Sequence, residues 1–93
     1  MALFDLLGRS WAMGALWQLC DGGPATFRAL QDRCEGVSPT VLNSRLKELR
    51  WAGLVDHSDE GYVATNLGDE LFQHLQPMDT WSRDWAKSFQ TSD

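Results

Sequence analysis

Cysteine is scarce in this chain. Cys20 and Cys34 are the only two, and their spacing fits no metal site. Both fall at apolar-periodic positions, where a reduced, buried thiol is the expected state, and such a state fits a reducing cytoplasm. Histidine is equally sparse. His57 and His74 lie in different segments with no second ligand near either, so no metal site is expected. No apolar run approaches the ~20 residues that cross a bilayer. The N-terminus lacks the basic region and small-residue cleavage site of a secretory leader, so neither membrane nor export is expected. There is no glycine-rich phosphate loop, no Ser-His-Asp or Cys-His constellation, no internal repeat and no low-complexity tract. Catalysis and cofactor binding are therefore not expected. Positive charge is also in deficit: eight Lys and Arg against thirteen Asp and Glu leave a net charge of −5 and a pI near 4.8. That balance argues against a generally basic nucleic-acid binder.

What the chain does have is indole. Five tryptophans among 93 residues call for burial in a core or in a subunit interface. The length bounds the protein to one small domain, residues 1–93, with a core that is marginal on its own. Its charge is unevenly spread. Residues 1–55 hold six basic and five acidic side chains, a net of +1, and residues 56–93 hold two and eight, a net of −6. The available cations therefore sit in the front half.

The pattern along the chain is mainly helical. "LFDLL" is a short amphipathic segment ended by Gly8, and Ser10 is placed to cap the apolar helix "WAMGALWQLC", which "DGGP" stops. Thr26 is the cap of "FRALQDRC", whose Phe27, Leu30 and Cys34 recur at helical spacing. After the break "EGV", Ser38 caps a third helix with Pro39 at its first position, where a missing N–H costs nothing. Val41, Leu42, Leu46 and Leu49 share one arc of that helix, and Gly53 ends it. "LVDHS" and "GYVAT" then change to strand period and join through Asp59-Glu60-Gly61 as a β-hairpin. Thr65 caps "NLGDELFQHLQ", and Pro77 is expected to kink or restart the helix before "MDTWSRDWAKSF". The tail "QTSD" is expected to fray.

This order implies a mainly α fold with a small β-hairpin: a helix-turn-helix over about 26–53, a wing over about 54–64 and C-terminal helices over about 66–90. The third helix turns Ser38, Thr40, Asn43, Ser44 and Lys47 away from its apolar arc. These residue types suit a major groove: they are small enough to approach base edges and carry the donors and acceptors that read them. The helix N-terminus also directs N–H groups at phosphate. Arg28, early in the second helix, is a candidate phosphate contact. Arg45 falls inside the apolar arc, so a paired, structural guanidinium is expected there. Met78, Trp81, Trp85 and Phe89 form a stripe at i, i+3, i+7 and i+11, whose expected use is packing in the core or against a second subunit, with Leu3, Phe4 and Leu7 as its counterpart.

The segments "FDLLGRSWAMGALWQL", "GPATFRALQDRCEGVSPTVLNSRLKELRWAGLV" and "YVATNLGDEL", followed by Trp81, occur in an order that resembles the HxlR-type winged helix-turn-helix regulators of the MarR-like group, over roughly residues 4–85. The resemblance implies a small cytoplasmic homodimer that binds a pseudo-palindromic double-stranded operator. The third helix would enter the major groove, the wing would touch the backbone or minor groove, and the terminal helices would form the dimer interface. Repression is expected over activation. Two departures bear on this. The family's sensing cysteine upstream of the "FDLLG" segment has no counterpart in this sequence, so thiol-based sensing is not carried over and the effector stays open. The wing is short and acidic, with Asp56, Asp59 and Glu60, and is expected to contribute little on the duplex or to stay off it. That departure keeps a rival open: a winged helix used for protein–protein contact, its DNA function lost. A second rival, compatible with the DNA-binding reading, is a ligand- or redox-sensing module whose effector pocket lies at the dimer interface.

Overall fold

Short polar caps set where the helices begin. In a computed structural model of the chain, residues 2–90 are described. They form α1 (Ala2–Leu7), α2 (Ala12–Gly22), α3 (Phe27–Arg33), α4 (Pro39–Trp51), β1 (Val55–Ser58), β2 (Gly61–Ala64) and α5 (Asn66–Gln90). The Thr26 hydroxyl accepts the Ala29 N–H at 3.2 Å, and the Ser38 hydroxyl accepts that of Val41 at 3.2 Å, with Pro39 opening α4. Each cap satisfies an N–H that the helix cannot. Thr65 works at both ends of a junction. It accepts from the Gly68 N–H at 3.1 Å and donates to the Gly53 carbonyl at 2.6 Å, tying the start of α5 to the end of α4.

One apolar cluster unites these elements. Leu16 and Leu19 of α2, Leu30 of α3, Leu42, Leu46 and Leu49 of α4, and Val55 and Tyr62 of the hairpin are all buried. The strands pair antiparallel, with Val55 opposite Ala64 and His57 opposite Tyr62. Ala25 adds a bridge beyond the hairpin: its N–H meets the Tyr62 carbonyl at 3.0 Å, and its carbonyl meets the Tyr62 N–H at 2.7 Å. Gly61 has φ +121°, and a Cβ there would lie 2.5 Å from the Ala25 carbonyl oxygen. Only glycine suits both demands.

Two sequence expectations change. Ser10 does not cap α2. Trp11 occupies that position at φ 69°, without a side-chain cap, because the Ser10 carbonyl is turned to Arg45 and the backbone closes the turn from Ala12 N–H to the Arg9 carbonyl at 3.2 Å. Pro77 does not restart the last helix either, so there is one C-terminal helix and not two. Pro77 and Gln73 are both exposed, so the carbonyl that the proline leaves unpaired meets water, and the helix continues. The expected fraying concerns residues 91–93, outside the described residues. The first half of α5 packs on the core, with Phe72 edge-on to Trp17 at 4.8 Å, whereas every residue from 80 to 89 is exposed.

Candidate nucleic-acid interface

The turn between α3 and α4 is filled. Cys34, Val37 and Leu30 are buried under it, Gly36 takes φ +90°, and the Val37 carbonyl accepts from the Gln31 amide at 3.4 Å. Leu42, Leu46 and Leu49 anchor α4 from below with at most 1% exposure. Ser38, Thr40, Asn43, Ser44 and Lys47 are consequently all exposed, on the side away from that anchor. Ser38 is partly spoken for by its capping bond, which leaves Thr40, Asn43, Ser44 and Lys47 as the free polar groups.

Cations follow a similar division. Among the described residues, Arg28, Lys47 and Arg50 are exposed and make no ion pair, whereas Arg9 and Arg45 share Glu48. Arg45 also donates to the Ser10 carbonyl at 2.8 Å, so it is held in the structure, as its place in the apolar arc implies. Arg33 is likewise structural, donating to the Gly23 carbonyl at 2.7 Å beyond the end of α2. Arg50 is a candidate phosphate contact that sequence reasoning missed. Its signal was its spacing, one turn beyond Lys47 and two beyond Asn43. Arg28 borders a polar recess with Gln31, Asp32 and Glu35, whose carboxylates offset part of its charge. The wing places Asp56, His57, Asp59 and Glu60 in solvent, and the His57 ring stacks on Tyr62 at 4.1 Å.

The expected interface residues divide as well. Leu3 and Phe4 are exposed, as are Met78, Trp81, Trp85 and Phe89, the last four by 50–66%. Trp81 stacks on Trp85 at 5.9 Å, and Trp85 meets Phe89 edge-on at 4.8 Å. Leu7 is instead buried in its own chain, at the base of a groove of about 670 Å³ between α1, α2 and α5, so it has little surface to offer a second subunit. Sequence periodicity put it on the apolar side of α1 but could not say which surface it meets.

Both thiols are held protonated. Cys20 Sγ lies 3.8 Å from the Gly68 carbonyl, and burial, reinforced by Asp69, pushes its pKa up to about 12. Burial also raises Cys34, against a smaller opposing pull from Arg33. The thiolate is the reactive form. At pH 8 the native Cys20 is therefore expected to react with an aromatic disulfide reagent up to about a thousandfold more slowly than the urea-unfolded chain. The folded-state pKa is raised, so the stability linked to Cys20 is full below 9.0 and lost as pH rises toward about 12. Urea titrations between pH 8 and 11 check that sign. Among the described residues, no three or more His, Cys, Asp or Glu side chains cluster to hold a metal, and no helix is long and apolar enough to cross a membrane.

This geometry has known counterparts. The sequence pattern of the HxlR-like helix-turn-helix family matches residues 6–90. Among solved structures, the chain is similar to quinone-bound YodB from B. subtilis, at 30% identity and a TM-score of 0.82, over 89% of this chain and 93% of that one. It is also similar to a possible HxlR family transcriptional factor from Thermoplasma volcanium GSS1, at 25% identity and a TM-score of 0.83, over 91% and 82%. Reduced YodB aligns at 27% identity and a TM-score of 0.75, over 87% and 85%. No curated protein sequence matches the chain.

Proposed function

We propose, from the premise that the chain belongs to the HxlR-like helix-turn-helix family, a cytoplasmic repressor that binds a pseudo-palindromic operator as a homodimer. As a member of that family it is a DNA-binding transcriptional regulator and not an enzyme. Residues 26–53 serve as the helix-turn-helix of a single domain, 54–64 as its wing and 66–90 as its dimerisation helix. The observation that carries the reading is the exposed face of Thr40, Asn43, Ser44 and Lys47 on an α4 anchored by three fully buried leucines. Two such helices would read half-sites about one turn apart, ~34 Å. Ser38 points the helix N-terminus at a phosphate, and Arg28, Lys47 and Arg50 supply the backbone contacts.

Charge sets the regime. Two copies at −5 give a dimer of −10, so long-range attraction is poor and binding rests on local cations. Affinity should fall steeply with salt. The YodB structure holds a quinone; no thiol chemistry is carried from it to this chain, because Cys20 and Cys34 are both held as thiols.

In vitro selection from a random duplex library at low salt tests the reading. An inverted repeat is expected. Asn43→Ala should relax preference at one base pair, by about 1–3 kcal/mol, and Lys47→Ala should weaken all duplexes alike. The acidic wing tip favours a second reading, a protein-interaction module. Recovery of no motif, with neither substitution altering the residual binding, would select it.

A further inference from the structure

The α1–α2 connection is tied to α4 through one carboxylate. Arg9 Nε lies 2.9 Å from Glu48 Oε2, and Arg45 Nη1 pairs with Glu48 Oε1 while its Nε donates to the Ser10 carbonyl at 2.8 Å. The Arg45 and Glu48 side chains are 18% and 28% exposed, so the pair is shielded more than a surface ion pair. The next residue, Trp11, holds φ +69°, a left-handed conformation that strains a bulky side chain. On the other side of this connection stands α1. It lies between two apolar grooves, one of about 850 Å³ toward Trp51 and Leu54, the other of about 670 Å³ toward α5. Arg45 and Glu48 follow Ser44 and flank Lys47 on α4. The Arg9–Glu48 and Arg45–Ser10 contacts thus join residues 9–10 to the turn of α4 that carries those two candidate readers.

We infer that Glu48 is a positioning residue that couples α1 to the recognition helix, so that whatever displaces α1 alters DNA binding. Coupling of this kind is reciprocal: a duplex seated on α4 stiffens the α1–α2 connection. The DNA part of the inference rests on the function proposed above, and the coupling within the protein does not.

A double-mutant cycle of Arg9→Ala and Glu48→Gln separates the two. One readout is amide hydrogen exchange of residues 46–51 in the free protein, and the other is affinity for the duplex recovered by selection. Arg9 has a 57% exposed side chain, so its truncation leaves the fold intact. Arg9→Ala is expected to speed exchange in that turn about threefold and to weaken duplex binding about fivefold, and to do neither in the Glu48→Gln background. Equal effects of Arg9→Ala in both backgrounds, as for an independent surface charge, overturn the inference. If Glu48→Gln does not fold, Arg45→Lys takes its place in the cycle, since lysine keeps the charge but replaces with one nitrogen the fork that holds Glu48 through Nη1 and the Ser10 carbonyl through Nε. If no duplex binds the wild type, the regulatory reading fails alone, and the exchange cycle still decides the coupling.

Discussion

Gly68→Ala is expected to lower the melting temperature by tens of degrees or to abolish folding. Gly68 sits in the first turns of α5, where a Cβ would lie 2.2 Å from the Leu54 carbonyl oxygen and 3.3 Å from Leu16 Cδ1. The carbonyl cannot retreat. Leu54 is buried, its oxygen accepts the Thr65 N–H at 3.0 Å, and its own N–H is bound to the Leu49 carbonyl at 3.0 Å. The helix must move instead, which disturbs the Thr65 cap, the Trp17–Phe72 contact and the burial of Leu75. Overpacking of this kind costs about 3 kcal/mol or more, against a total stability of about 5–15 kcal/mol for a domain. At about 4–8 °C per kcal/mol, thermal unfolding by circular dichroism will register it clearly. Gly14→Ala is the matched control. The nearest atom to a Cβ there is Cε3 of Trp11, the cap residue of α2, at 3.5 Å, an ordinary contact, so it should hold or raise stability by up to about 1 kcal/mol. A Gly68→Ala protein that melts within a few degrees of wild type would show that α5 does not press on Leu54.

Trp81→Glu with Trp85→Glu is expected to convert the proposed homodimer into a 10.5 kDa monomer. Both indoles are at least half exposed in the single chain, stacked on one another and flanked on the same helix face by Met78 and Phe89. An apolar stripe of this kind on a projecting helix is costly to leave in water, at about 25 cal/mol per Å². The stripe lies beyond the part of α5 that packs on the core, so carboxylates there should leave the domain's melting temperature nearly unchanged. DNA binding should suffer far more. With one α4 in place of two, a palindromic duplex loses its second contact, and affinity should drop at least about a hundredfold. Sedimentation equilibrium with and without duplex tests both statements. A variant that still dimerises would move the interface elsewhere, with Leu3 and Phe4 of α1 the next surface to change.

Much of this fold could be read residue by residue because its signals are local. Thr26, Ser38 and Thr65 act as caps because a hydroxyl three residues before a free N–H needs no tertiary partner. The buried arc of Leu42, Leu46 and Leu49 follows from helical period alone, and that arc also fixes which face carries Thr40, Asn43, Ser44 and Lys47. What sequence reasoning missed depends on distant partners. Ser10 had the chemistry of a cap, but Arg45, 35 residues away, takes its carbonyl and turns the cap over to Trp11. Pro77 looked like a break because local rules charge it one hydrogen bond, and its exposure on α5 makes that loss small. Arg50 and Lys47 cannot be told from Arg9 by residue type. The position of Glu48 shows that Arg9 is committed to the protein, while Lys47 and Arg50 make no ion pair among the described residues.

The Ala25–Tyr62 bridge has an evolutionary consequence. It pins β2 to the α2–α3 connection one residue before the closing Ser58–Gly61 pair, so strand register is held on the core side of the two tip residues. The tip, Asp59 and Glu60, is exposed and makes no contact with the core. A lineage could therefore lengthen or recharge the tip by insertion between Asp59 and Glu60 without retuning the rest of the protein. A grafted basic loop at that point should leave the melting temperature unchanged and add salt-sensitive affinity for duplex, which makes this hairpin a plug-in site for engineering specificity.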